Sequence, residues 1–368
     1  MKIIDQAGSL EGKRVVIRAD YNVPVADGVV VDPARIDASL ETVRYVISHG
    51  GIPVIMSHIE SKESTLQPVY EYLSRHLDLS FVKDYFPNQV SLPAGPVLLE
   101  NLRQYPGEKE NDQDFARHLS ELGDIYVNEA FPACHREHAS IVGIPRYLPA
   151  FAGFRLAEEI GSLSAALNPK PPLLFILGGA KFETKIPLLE RYLPLAETVI
   201  VAGAIANDFL AAKGFPVGRS LTSSPEKAAQ IPAGSLALPV DVVVVRGADP
   251  LVVDVSDVKD EDIIVDVGPR TIDSYQSKVQ NAATIIWNGP LGAYEKGFDQ
   301  STKALARMVS ASSAQAYVGG GDTAAALASI SAGSSVFIST GGGAMLDFLA
   351  SGSLPGIDAL NASQALSD

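Results

Sequence analysis

At 368 residues, and with roughly 150 residues per domain as a guide, the chain is long enough for two sizeable cores. Its 46% hydrophobic content excludes global disorder, collagen and coiled coil, and its formal charge of −14 argues against non-specific attraction to nucleic acid or an anionic membrane. A single cysteine, Cys134, excludes an intrachain disulfide and a cysteine-based zinc site, which suits a reducing compartment.

The opening MKIIDQAGSLEGKR lacks the apolar stretch of a secretory signal. No run anywhere approaches about 18 apolar residues, so a cytoplasmic protein is expected. Short apolar runs then recur and end in Gly, Asn, Ser or Asp: RVVIRAD (14–20), IPVIMSH (52–58), PVLLEN (96–101) and DIYVNE (124–129). Later come LLFILGG (173–179), TVIVAGA (198–204), DVVVV (241–245), TIIWNG (284–289), AYVGGGD (316–322) and SVFISTGGG (335–343). Continuous rather than alternating runs predict strands covered on both faces, as in parallel sheets. Helical patterns lie between them at 34–50, 112–123 and 301–314, the last with Ser301 as a candidate N-cap. A helix over 151–167 followed by NPKPP (168–172) marks the break between two sets of units. The expected fold is α/β, with two doubly wound parallel-sheet domains joined by that helix, and ligands outside the C-terminal strand ends.

The first set carries all six histidines and, at or beyond strand ends, Asp20, Asn22, His58, Arg103 and Arg136, with Arg35 opening a helix. Arginine's planar fork suits phosphate and carboxylate oxygens, so these residues form a candidate rim for a small anion. Arg14 and Arg18 read as structural or partly exposed, and His118 as a surface residue of a helix. His135 and His138 flank Arg136 without the spacing of a zinc motif, and Cys134 is not expected to act as a nucleophile.

The second set carries glycine loops at 177–185, 202–208, 319–327 and 339–349. Each can simply close a strand-to-helix turn. Clustered in one half, they point instead to an anion held at helix N-termini. Lys181 and Lys185, four apart, are expected on one side of a helix's first turn, where a polyphosphate would offset their conflict with the dipole. Asp322 is a candidate Mg²⁺ partner or a plain N-cap, with Thr323 available to a phosphate. Neither the Walker pattern nor a convincing G-x-G-x-x-G is present.

These segments resemble the phosphoglycerate kinase family from end to end. The matching stretches are RVVIRADYNVP (14–24), RIDASLETV (35–43), VLLENLRQYPGE (97–108), DIYVNEAFPACHREHASIVGIPRYLPAFAGF (124–154), LFILGGAKFETKI (174–186), VDVGPRTI (265–272), IIWNGPLGAYE (285–295), YVGGGDTAAAL (317–327) and FISTGGGAMLDFLASGSLPG (337–356). The resemblance implies Mg²⁺-dependent phosphoryl transfer between 1,3-bisphosphoglycerate with ADP and 3-phosphoglycerate with ATP, in line and on domain closure, by a monomer. It implies a glycerate-binding domain over 1–155 completed by 355–368, and a nucleotide-binding domain over 156–354. Asp20, Asn22, Arg35, His58, Arg103 and Arg136 would hold the glycerate. Lys181, Lys185, Asn288, Glu295, Gly320, Gly321, Asp322 and Thr323 would hold the nucleotide, Asp322 near the metal. Arg35 and Lys181 would carry the transition-state charge.

SHIESK (57–62) departs from the family's Ser-His-Leu-Gly-Arg-Pro. Ser61 stands where a substrate-binding arginine is usual, Glu60 replaces a glycine, and Lys62 is expected to compensate. Glu129 for aspartate, Pro132 for glycine, FET (182–184) and AGAIA (202–206) are further departures. The SHIESK departure leaves open a catalytically weak relative kept for binding or regulation. A nicotinamide-dependent dehydrogenase has only the strand–glycine architecture in its favour.

Overall fold

The computed structural model describes residues 1–60, 64–87, 91–232, 234–247, 249–330, 333 and 335–365. The chain divides into two units, Met1–Gly161 with Ser353–Asp368, and Ser162–Gly352. Ser61 and Lys62 lie outside the described residues.

The strands of the first unit are β1 (Arg14–Arg18), β2 (Val25–Ala26), β3 (Val29–Val30), β4 (Ile52–Met56), β5 (Ser80–Val82), β6 (Val97–Leu99), β7 (Ile125–Asn128) and β8 (Ala150–Ala152). Six form a parallel sheet in the order β5-β6-β4-β1-β7-β8, while β2 and β3 make a small antiparallel hairpin. The continuous apolar runs sit where both faces are covered: Val15–Arg18, Pro53–Met56 and Ile125–Asn128 are buried. The helix Ala34–Ser48 packs its Ile36, Leu40 and Val43 stripe onto one face. Because the chain leaves β1 first toward β4 and later returns to β7 on the other side, the strand order reverses at β1. That is where such sheets hold ligands. The C-terminal helix Pro355–Ala365 belongs to this unit, tied by the Gly356 N–H to the Cys134 carbonyl at 2.9 Å.

A buried carboxylate starts the helix Phe154–Ala166, which carries the chain toward the second unit. Glu129 Oε1 accepts from Thr42 Oγ1 (2.7 Å) and from the Arg155 N–H (3.1 Å), and Oε2 from the Leu156 N–H (3.4 Å). Burial pushes the Glu129 carboxyl up to about 7 despite these donors. Gly153 is required beside it, since an added Cβ would lie 1.7 Å from Glu129 Oε2.

In the second unit, β9 (Leu173–Leu177), β10 (Thr198–Val201), β11 (Leu236–Ala237), β12 (Asp241–Arg246), β13 (Asp249–Asp254), β14 (Ile263–Val267), β15 (Thr284–Asn288), β16 (Gln315–Gly319) and β17 (Val336–Ile338) form two sheets. The larger is parallel, in the order β11-β10-β9-β15-β16-β17, and reverses at the fully buried β9.

Three expectations fail on packing. DVVVV (241–245) does not join the parallel sheet; it is the centre of an antiparallel β13-β12-β14 layer. A tight connection through Gly247, at φ 71°, folds β13 back on β12, and β13 leaves Leu251 and Val252 exposed. Ser301 is not an N-cap: the helix Gln300–Ala311 begins one residue earlier, and the Ser301 hydroxyl donates to buried Asp266 instead. His118 is buried, with Nε2 on the Tyr85 carbonyl and its ring edge-on to Phe86, so an aromatic cluster distant in sequence covers the helix face assigned to solvent.

Candidate active site

In the first unit, the site begins with the residues that follow β1, β4, β6 and β7. Ser57 Oγ donates to the Ala19 carbonyl (2.7 Å) and accepts the Tyr21 N–H (2.8 Å), pinning the ends of β1 and β4 together. Asp20 and His58 are thereby held side by side. Arg35, on the first turn of its helix, donates through Nη1 to Asp20 Oδ2 (2.9 Å) and to the Asn22 carbonyl (3.2 Å). Arg103 follows β6 and is held by an ion pair with Glu60, its buried Nε having no hydrogen-bond partner among the described residues. Arg136 is exposed and makes no ion pair among the described residues.

Behind this rim lies a support the sequence reading treated as merely structural. Arg18 is fully buried, donating to Ser140 Oγ (2.8 Å) and the Ala19 carbonyl (2.6 Å), with Nη2 3.1 Å from His58 Nδ1. Arginine can only donate, so His58 Nδ1 accepts and the ring proton sits on Nε2. Burial, then Arg18, Arg103, His138 and Arg35, hold His58 far below the usual histidine range. His58 is therefore a neutral donor. His138 is likewise lowered, to about 4, by burial and then Arg103. Ser140 passes the restraint on to buried Glu108, its Oγ donating at 2.6 Å and its N–H at 2.9 Å. Arg18 is an arginine within a continuously apolar strand, and that misfit was the signal for its role.

In the second unit the glycines divide their labour. Gly178, Gly203 and Gly289 let three loops meet backbone to backbone: an added Cβ at Gly178 would lie 2.2 Å from the Pro290 carbonyl oxygen. At Gly203 it would lie 2.7 Å from the Gly179 nitrogen. Gly179, Gly203 and Gly289 spend their N–H groups on these loops, so they shape the site rather than donate into it. Gly320, at φ 103°, opens the helix Gly321–Ala328, and Gly342 opens Gly342–Ser351. An added Cβ on Gly342 would be 3.6 Å from Gly320 Cα, so the two helix N-termini start side by side. Their free N–H groups and dipoles favour an anion there.

Lys181 and Lys185 do not share one helical face. Lys185 ends a 3₁₀ turn, Glu183–Lys185, and is buried with Nζ donating to Asn288 Oδ1, whereas Lys181 precedes the turn and is exposed. Burial lowers the Lys185 ammonium to about 8. Asn288 Nδ2 and Thr323 Oγ1 are buried without partners among the described residues, a combination that invites a ligand with acceptor oxygens. Beside them is a cavity of about 370 Å³ walled by Leu210, Val242, Ile264, Val265 and Leu291, with Asp322, Glu295 and Lys296 also lining it. Its apolar walls include β12 and β14, which sequence reasoning did not connect with the site. Asp322 is half-buried and its carboxyl is raised by burial and by Glu295, so a cation beside it would relieve both penalties.

Cys134 is no ready nucleophile, since burial pushes its thiol up to about 12, and the His58 ring nitrogen facing Arg18 is already engaged. Two doubly wound units that each gather anion-binding groups beyond their strand ends fit the phosphotransferase class, whose chemistry relies on positioning and positive charge. The family model for phosphoglycerate kinase matches residues 4–352. The phosphoglycerate kinase of Sphingopyxis alaskensis is 39% identical, with 98% of this chain and 99% of the relative covered. That of Moorella thermoacetica is 40% identical over 95% and 97%. Among solved structures, the Coxiella burnetii enzyme matches with a TM-score of 0.83 at 38% identity, covering 97% of this chain and 98% of the other. The Pyrococcus horikoshii enzyme matches at 0.88 and 30% identity, over 99% and 100%. The chain belongs to the phosphoglycerate kinase family. No helix among the described residues is long and apolar enough to cross a membrane.

Proposed function

We propose that the chain, acting as a monomer, catalyses reversible transfer of a phosphoryl group between ATP and the carboxylate of 3-phosphoglycerate, giving ADP and 1,3-bisphosphoglycerate. A domain over 1–155 completed by 355–368, within the first unit, holds the glycerate, and a domain over 156–354 holds the nucleotide. Asp20, Asn22, Arg35, His58, Arg103 and Arg136 bind the glycerate, His58 as an uncharged Nε2–H donor. Lys185, Asn288, Gly320, Gly321 and Thr323 hold the nucleotide phosphates; Glu295 faces the ribose at the mouth of the apolar cavity.

The acceptor carboxylate is ionised at neutral pH, so no general base is needed and the neutral histidines are no handicap. What remains is alignment of acceptor and phosphorus, and positive charge over the transferring oxygens. We assign that charge to Arg35 and Lys181, brought to bear when the units close on their ligands. Asp322 is a suitable carboxylate for Mg²⁺, an ion that keeps several waters and phosphate oxygens and needs few protein ligands. When bound, the ion would neutralise developing phosphate charge. The single observation that carries this reading is the pair of orphaned donors, Asn288 Nδ2 and Thr323 Oγ1, beside the paired helix N-termini.

The test is incubation with 3-phosphoglycerate, ATP and Mg²⁺, trapping any acyl phosphate with hydroxylamine. Enzyme-dependent hydroxamate supports the reaction. Binding of both ligands without hydroxamate would favour a regulatory relative, the reading raised by the SHIESK departure.

A further inference from the structure

The carboxylate seated on Arg103 belongs to the chain itself. Asn101 Oδ1 accepts the N–H groups of both Ile59 (3.2 Å) and Arg103 (3.1 Å), and its Nδ2 donates to the Ile59 carbonyl (2.9 Å). The Glu60 N–H in turn donates to Asn22 Oδ1 at 2.9 Å. These ties hold the segment after β4 against the segment after β6. The Glu60–Arg103 pair therefore follows from backbone placement rather than from two long side chains meeting by chance.

The charge tally of the cluster follows. Asp20 engages Arg35 and Glu60 engages Arg103, while His58 and His138 are held uncharged. Arg18, buried behind the rim, and Arg136, exposed on it, carry cations with no acid paired to them among the described residues. A ligand bearing one negative charge would merely exchange one carboxylate for another at Arg103. A phosphate dianion would gain. The geometry also permits exchange, since the Glu60 side chain is 60% exposed while Arg103, at 11%, stays in place.

We propose that Glu60 is an internal anion occupying the Arg103 seat, which the substrate must displace, so that it sets a charge threshold selecting polyanions over singly charged ligands. This deepens the reading of the cluster as the glycerate site and rests on it. Glu60 is a specificity residue here, not a catalytic one.

The test compares wild type with Glu60→Gln by calorimetric titration of 3-phosphoglycerate, repeated with inorganic sulfate as the probe, and by steady-state kinetics. Removing a partly exposed competitor is expected to tighten both anions by about fivefold and to lower the KM for 3-phosphoglycerate by the same factor, with kcat retained. A merely structural role would not split KM from kcat in this way. Unchanged or weaker affinity for either anion in Glu60→Gln would overturn the proposal. A wild type that binds 3-phosphoglycerate without turning over would end the proposed reaction instead, leaving the titrations to decide the role of Glu60.

Discussion

Under the proposed function, the two units hold their anions by opposite means. The first collects arginines and restrains them in advance with the chain's own acids: Asp20 on Arg35, Glu60 on Arg103. The second uses few charges. It offers two adjoining helix N-termini, two orphaned donors and one buried lysine beside an apolar cavity. Side-chain charge can be neutralised by the chain's own acids until a ligand displaces them, whereas backbone donors at a helix N-terminus stay fixed and open to an anion.

The sharpest way to break this division is to remove one cation from each side. Arg35→Ala and Lys181→Ala are each expected to lower kcat by on the order of a hundredfold, the usual loss for a transition-state donor. Arg35→Ala should leave nucleotide affinity intact and Lys181→Ala should leave glycerate affinity intact, both measurable by separate titrations. A loss confined to KM would mean that the residue binds without serving the transfer.

Glu129 tests whether the first unit holds uncompensated strain as well as paired charge. Its folded value of about 7 lies above the ordinary 4.5, so the folded state binds the proton more tightly. The stabilisation is complete below about pH 4.5 and is lost as pH rises through about 7, a change on the order of 3 kcal/mol. Glu129→Gln should flatten this part of the stability profile, as read by denaturant unfolding of the full chain at several pH values. A wild-type profile without that fall would remove the buried-carboxylate account. Beside it, Gly153→Ala should cost about 2 kcal/mol, because its Cβ meets a carboxylate that cannot move away. Thermal unfolding checks this.

The smallest expected effect belongs to Lys185. It is charged below about pH 8 in the ligand-free protein, so affinity for ATP should decline by less than about tenfold as pH rises above that value. Lys185→Met should bind ATP more weakly and show no such decline. An unchanged pH dependence in Lys185→Met would assign the titration to another group.

The parallel sheets and their rims were legible because continuous apolar runs ending in Asp20, His58 or Gly178 carry both strand and ligand edge in the same few residues. The antiparallel layer was not legible: VVVV reads the same whether its partners run with it or against it, and only the turn at Gly247 separates the cases. Arg18 was under-read because burial of a guanidinium depends on His58 and Ser140, residues 40 and 122 positions away. Likewise, spacing alone made Lys181 and Lys185 equivalent. The 3₁₀ turn before the helix buries one and exposes the other.

The central claim is direct passage of the phosphoryl group from nucleotide to carboxylate, with no enzyme group as carrier. The stereochemistry at phosphorus tests it most directly, using ATP made chiral at the γ-phosphorus with oxygen isotopes and analysing the acyl phosphate formed. Inversion of configuration is the result this account requires. Retention would demand two successive displacements through a phosphorylated side chain and would contradict it.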